Sequence, residues 1–317
     1  MNVPSRSRRA AMAGLAAVAL APVLGASERV RLVGYLSGGA GLDELVKPLE
    51  DLGYVLGRNL RFEIRVRHDP EPVKLAAAAG ELVAARPDVL LAYQGHRVRA
   101  LAAATRTIPI CCGGVPDPIG LGLAQSLRRP GGNVTGLSWG VPETAGITLG
   151  ILRAMRPGLW GVASIHPVGR PAAAGGRSIG VAAAAIGVAW IQVPIPIEAD
   201  DARIDRALVP LAGEAAFVAP FRNDGLFKRV VEAANRQRIA TVGPTEHGAL
   251  MAYGLIHSDA PQRIAALLDK LLRGANPAEV PFELPDRTVF TLHRGTARAL
   301  GLKIPPDLLL RATEVIG

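Results

Sequence analysis

Catalysis needs side chains that hold a metal, move a proton or attack carbon, and in this chain such side chains are scattered. The six histidines (His68, His96, His166, His247, His257 and His293) include no pair four apart and no cysteine partner. Helical i, i+4 spacing is what brings two imidazoles to one ion. The one metal arrangement left open is His96, His166 and His247 gathered across a cleft. Cys111 and Cys112 are neighbours in a strand-like run, so their side chains point to opposite faces. Buried apolar filling is the simplest role for both, and a strained vicinal disulfide is the alternative. No phosphate-cradling G-x-x-x-x-G-K-[ST], zinc-binding H-E-x-x-H, nucleophile-bearing G-x-S-x-G or EF-hand loop occurs. Gly38-Gly39-Ala40-Gly41 follows a strand and precedes a helix but lacks G-x-G-x-x-G spacing. Glu63 lies inside the next strand rather than at its end, where a ribose would be met. The expectation is a protein with no catalytic residue, cofactor or metal, whose polar turn residues bind rather than react.

Those turns need a scaffold, and apolar periodicity supplies one. Residues 30–36 read as a strand, 42–52 as a helix, 60–66 as a strand and 74–85 as an Ala-rich helix. Strand, helix and strand follow at 89–93, 96–105 and 108–112. Prolines and glycines at 115–118 and 130–133 mark the strongest turns. A second alternating region has strands at 160–165, 189–194, 215–219, 239–242 and 250–254. Its helices fall at 177–186, 201–211 and 226–236, and an amphipathic helix at 259–272 is capped at Ser258 and stopped by Gly274. Strand–helix alternation predicts parallel sheets with helices on both faces. The fold class is therefore α/β, with two Rossmann-like lobes and a cleft between them. Lobe 1 is expected at 28–136 plus 254–284, and lobe 2 at 137–253 plus 285–317. Ligands of open parallel sheets bind beyond the carboxyl ends of the strands, so a ligand held between two such lobes favours the closed form.

Strand-end residues are then the candidate contacts. Ser37 and Gln94, with the backbone N–H groups of Gly38 and Gly95, lie at strand-to-helix turns. There they either cap a helix or meet an anionic group such as a ligand carboxylate. Asp117 just past a strand either caps a helix or meets a ligand ammonium. Ser138 and Trp139 fall near the hinge and cleft floor. Tyr35, Tyr93, Trp139, Phe221 and Tyr253 are candidate walls for an apolar or aromatic group, with core packing as the competing role.

The first 27 residues read as an export signal. Arg6, Arg8 and Arg9 precede an uncharged run from Ala10 to Leu24, followed by the small residues Gly25, Ala26 and Ser27. Ser7-Arg8-Arg9 hints at the twin-arginine type. The expected location is the periplasm, where ATP and NAD are scarce. The formal charge of +9 falls to +6 without those three arginines, and the surplus is dispersed. Nucleic acid is therefore not an expected partner. At 49% hydrophobic and 20% charged, the chain can build a substantial core.

Particular stretches carry a resemblance. ELVAARPDVLLAYQGHRVRALAAATRTIPI (81–110), PDPIGLGLAQSLRRPGGNVTGLS (116–138) and DLGYVLGRNLRFEIR (51–65) resemble exported solute-binding proteins of ATP-binding-cassette importers. GALMAYG (248–254), read as the return crossover, and ARALGLKIPPDLLLRATEVI (297–316) resemble the same family. Its studied members include tryptophan- and tyrosine-type amino-acid receptors. The resemblance implies the type I periplasmic-binding fold, a small-molecule solute, an ABC permease with its ATPase as partners, and a monomer. Several cleft turns depart from the family pattern: Gln94-Gly95-His96-Arg97, His166-Pro167-Val168-Gly169, Phe221-Arg222-Asn223-Asp224 and the shortened segment ending in Glu246-His247. His96, His166, Asn223, Asp224 and Glu246 thus join the candidate contacts, and an amino acid is carried over only as a ligand class. The competing readings are a sensor feeding a membrane signalling partner and an exported α/β enzyme. A DNA-binding regulator is disfavoured, because 27 Ala-rich residues cannot supply a helix-turn-helix.

Overall fold

The computed structural model describes residues 29–39, 41–68, 71–168, 174–218 and 224–317. The expected export signal lies outside them, as do Phe221, Arg222 and Asn223.

The first sheet alternates strictly with helices. β1 (Arg31–Ser37) leads to α1 (Asp43–Asp51), β2 (Leu60–Val66), α2 (Pro72–Ala84), β3 (Val89–Ala92), α3 (Gly95–Ala104), β4 (Ile110–Val115) and β5 (Val134–Ser138). All five strands are parallel, in the order β2-β1-β3-β4-β5. α2 starts on Pro72, whose missing N–H costs nothing in a first turn. It buries Leu75, Ala78, Ala79 and Leu82, the 3–4 spacing of one helix face. β3 and β4 are buried throughout, as central parallel strands covered on both faces must be.

The chain then enters a second sheet through α4 (Val141–Met155), β6 (Gly161–Pro167), α5 (Ala174–Ala185), β7 (Ala189–Ile195) and α6 (Asp201–Leu208). β8 (Ala215–Val218), α7 (Asp224–Arg236), β9 (Ala240–Val242) and β10 (Met251–Ile256) complete this passage. α8 (Ala260–Leu272) returns to the first sheet. It packs Ile264, Leu267, Leu268 and Leu271 beside Val33, Leu91 and Cys111. Each fully buried leucine there contributes on the order of 2 kcal/mol. Finally β11 (Arg287–His293), α9 (Arg294–Ala299), α10 (Pro306–Arg311) and β12 (Glu314–Ile316) rejoin the second sheet, ordered β12-β11-β10-β9-β8-β6-β7.

Two local expectations are corrected. The second sheet is not wholly parallel: β11 runs antiparallel to β10. It enters directly from the first lobe with no crossover helix, so its direction is reversed. Ser258 does not cap α8. The N-cap is Asp259, and Ser258 instead donates its hydroxyl to Asp286 at 2.6 Å.

Three segments therefore cross between the sheets: 138–141, 256–260 and 283–287. They are laced together. Ser138 N–H donates to the Glu283 carbonyl and Glu283 N–H to the Gly136 carbonyl, both at 2.9 Å, and His257 Nε2 meets the Ser138 carbonyl at 2.8 Å. Arg263 on α8 reaches Asp259 at 2.5 Å, Asp286 at 3.1 Å and Glu283 at 3.3 Å. The hydrogen bonds from Ser258, side chain first and then backbone, hold the Asp286 carboxyl down at about 2 from its ordinary 3.8. A depressed carboxylate stabilises the fold above its unfolded value and loses that contribution as pH falls toward the folded one. The hinge should therefore loosen between about pH 4 and pH 2. Hydrogen exchange of the Ser258 amide checks this: protection should drop across that window in the wild type and be weak throughout in Asp286→Asn.

The two cysteines sit as the alternation requires. Cys111 joins Tyr35, Leu45 and Leu268 on one face, and Cys112 joins Leu36, Leu82 and Val98 on the other. Both are free and fully buried. Burial raises both thiols, Cys112 to about 12, so neither is a ready nucleophile.

Candidate functional site

The carboxyl ends of β1, β3, β4 and β5 meet at one edge of the first sheet, the edge at which the chain crosses to the second. Ser37 closes β1, buried, and its Oγ accepts from Gly39 N–H at 2.9 Å. Beside it Gly38 leaves space for the guanidinium of Arg97: a methyl group at Gly38 would lie 2.9 Å from Nη2. Arg97 is 4% exposed, on the first turn of α3. It donates to the Arg67 carbonyl at 2.7 Å, to Gln94 Oε1, and to His96 Nε2 at 2.9 Å. A guanidinium only donates. Gln94 therefore turns its oxygen inward and its amide N–H₂ outward, and the His96 ring carries its proton on Nδ1. Gln94 caps α3 with φ 68° and ψ 136°, a backbone state that costs a non-glycine residue roughly 1–3 kcal/mol and is held by this clasp. Its side chain makes no capping bond, so the ordinary cap expected of Gln94 is not formed.

Aromatic side chains line the same edge because the backbone beneath them has no side chains. A methyl group at Gly114, where φ is 144°, would lie 2.5 Å from Trp139 Nε1, and one at Gly113 would overlap the Tyr93 ring. Trp139 is half exposed, and Tyr93 is partly buried above Tyr35, ring centroids 6.1 Å apart. Desolvation raises both tyrosine hydroxyls, so they remain neutral donors. Tyr35 is a core residue, and Tyr253 is partly buried, packed edge-on against Phe290 at 5.6 Å. Of the candidate aromatic walls, Tyr93 and Trp139 therefore stand at the edge.

Asp117 follows β4. Its Oδ1 accepts from Gly120 N–H at 2.8 Å, which is the turn-capping role, while Oδ2 accepts from Ser178 Oγ at 3.3 Å. Ser178 belongs to α5, so this bond joins the two lobes, as does Arg177 donating to the Gly120 carbonyl. A cavity of about 320 Å³ opens beside them, bounded by Asp117, Pro118, Ile119, Ser138, Pro142 and Glu143.

On the second sheet His166 lies buried at the end of β6, with Nδ1 3.1 Å from the Pro167 carbonyl. His247 packs against Phe227 at 5.4 Å, next to an exposed Glu246. Asp224 begins α7, but its side chain lies outside the description. His96, His166 and His247 each have separate neighbours. Among the described residues no group of three or more His, Cys, Asp or Glu could hold a metal ion.

The structure thus gathers Ser37, Gly38, Gln94, Gly95, His96, Ser138 and Trp139 at the first sheet's edge, with Asp117 bridging to the second lobe. Sequence reasoning did not single out Arg97, Arg177, Ser178, or the Gly113-Gly114 pair as site features. The two glycines directly after a buried Cys-Cys pair were the available signal.

Comparison with known proteins follows the same lines. Residues 39–316 match the family model described as ABC transporter substrate binding protein. A tyrosine-binding protein of Clostridioides difficile (strain R20291) is 36% identical over 93 residues. That match spans 29% of this chain and 27% of the relative's length. Among solved structures, a conserved domain protein from Vibrio cholerae aligns with TM-score 0.69 at 23% identity, covering 90% of this chain and 99% of that one. An ABC domain from Streptococcus pneumonia in complex with L-Trp aligns with TM-score 0.67 at 20% identity, covering 90% and 100%. At these identities the likeness speaks for the fold: two α/β lobes with mostly parallel sheets.

Proposed function

Because this chain belongs to the ABC transporter substrate-binding protein family, we propose that it is the extracytoplasmic receptor of an ABC importer. It captures a small solute between its lobes and delivers it, chemically unchanged, to a membrane permease driven by an ATPase. The observation that carries this reading is the pair of sheet edges that approach each other across a laced three-segment hinge and touch through Ser178 and Asp117. A solute in that gap contacts both lobes and so favours their closure. Ser37, Gly38, Gln94, Gly95, His96, Asp117, Ser138 and Trp139 are the proposed first-lobe and hinge contacts. His166, Asn223, Asp224 and Glu246 are those of the second lobe. The solute class is an amino acid or a related compound, in keeping with the tyrosine-binding and L-Trp-bound relatives. The N-terminal segment directs export to the periplasm, and the mature chain acts as a monomer.

A thermal-shift screen over amino acids, purines, sugars, oligopeptides and divalent metals tests this. At one hundred times the dissociation constant, one solute class should stabilise the protein by about 2.7 kcal/mol, or roughly 5–10 °C. Product formation from a substrate, with no solute moving the transition, would overturn the reading.

A further inference from the structure

His166 sits where β6 ends, on the face of the second sheet that α4 and α5 cover. The alternation places it with Val162 and Ser164, and Val162 packs with Leu149 and Leu152 of α4 and Ile179 of α5. Its Nδ1 lies against the Pro167 carbonyl, which can only accept, so Nδ1 carries a proton. Nε2 is buried and meets no hydrogen-bond partner among the described residues. Among the described residues a donor at Nε2 would meet no acceptor, which leaves that nitrogen placed to accept. The described hydroxyls of α4 and α5 are already committed. Thr144 donates to the Val141 carbonyl at 3.1 Å, Thr148 to the Thr144 carbonyl at 2.8 Å, and Ser178 to Asp117. An acceptor left buried and unmatched costs roughly 1–3 kcal/mol.

We infer that His166 Nε2 is the second lobe's acceptor for an ammonium or other N–H group of the solute, so that this receptor selects amine-bearing molecules. The inference rests on the receptor reading above. Ser178 of α5 donates to the carboxylate of Asp117, and an ammonium with three N–H groups can use acceptors from both lobes as they close. Parting the Ser178–Asp117 and Arg177–Gly120 contacts is the step that admits it.

The test is a cycle on the full chain by titration calorimetry. The probes are the standard L-amino acids and, for L-tryptophan and L-tyrosine, the desamino counterparts that keep the ring and carboxylate. His166→Leu should weaken binding of the amino acid about tenfold or more and leave the desamino counterpart within about twofold. His166→Gln, which keeps an acceptor oxygen, should recover most of the loss. In the wild type, the His166 Nε2 nitrogen resonance should shift on saturation with the bound amino acid, which keeps the idea testable where a variant folds poorly. Equal loss for both probes, no loss at all, or an unmoved resonance would overturn the inference. So would a wild type that binds none of these amines. Binding of amine-free solutes in the wider screen would then leave the receptor reading standing alone.

Discussion

Gly136→Ala is expected to destabilise the protein by on the order of 3 kcal/mol, lowering the melting temperature by roughly 6–12 °C. Gly136 lies in β5 opposite Cys112 of β4, with φ 151°, a region that side chains rarely adopt. A methyl group there would overlap the Cys112 carbonyl oxygen. That oxygen belongs to backbone in a fully buried strand and cannot swing away as a flexible side chain can. The strand pair must separate instead, and the Gly136 carbonyl that anchors the Glu283 amide moves with it. Substitution at this one position therefore attacks both the first lobe's core and its hinge. Gly80→Ala is the control. Gly80 lies inside α2 with no neighbour within 4 Å of an added methyl group, so it should be neutral or stabilise by roughly 0.4–1 kcal/mol. Melting curves of the two variants decide the matter: only that of Gly136→Ala should fall.

The second large effect is closure. Among the described residues three adjacent crossings join the lobes, and each lobe has its own core clusters, so rotation about residues 138–141, 256–260 and 283–287 is expected to leave those clusters intact. Few described bonds hold the lobes together away from the hinge: Ser178 to Asp117 and Arg177 to the Gly120 carbonyl. Single hydrogen bonds of this kind contribute on the order of 1 kcal/mol each. A solute that bridges the sheet edges adds interactions available only in the closed arrangement and shifts the population accordingly. Arg97 belongs to this account as a fixed part of the first edge. By holding Gln94 in a strained cap it keeps an amide N–H₂ directed outward, and the fixed geometry lowers the ordering cost of binding.

Much of this fold is legible in the sequence because it follows from apolar periodicity. Residues 89–92 and 110–112 form unbroken apolar runs, and only a strand covered on both faces uses such runs at that length. What escaped has a physical cause in each case. The reversal of β11 depends on which side the chain enters from, and local residue order does not encode that. GALMAYG reads both as a strand at 250–254 and as the return crossover; the strand is β10, extended to Ile256, and the crossing begins at His257. Ser258 resembled a helix cap, but Asp286 approaches from 28 residues away and claims its hydroxyl. Arg97 reads as part of a basic cleft turn, and its burial depends on Gly38, just past the end of β1, leaving room for the guanidinium. That His166 Nε2 is buried with no partner among the described residues is likewise a property of packing, which local residue order does not encode.

Small-angle scattering on the purified chain, with and without the solute that raises its melting temperature, tests the central claim most directly. A compact chain of this length has a radius of gyration of roughly 20 Å. The account expects a larger value without solute, a fall toward the compact figure at saturation, and full recovery of the solute unaltered. An unchanged radius at saturation would contradict it.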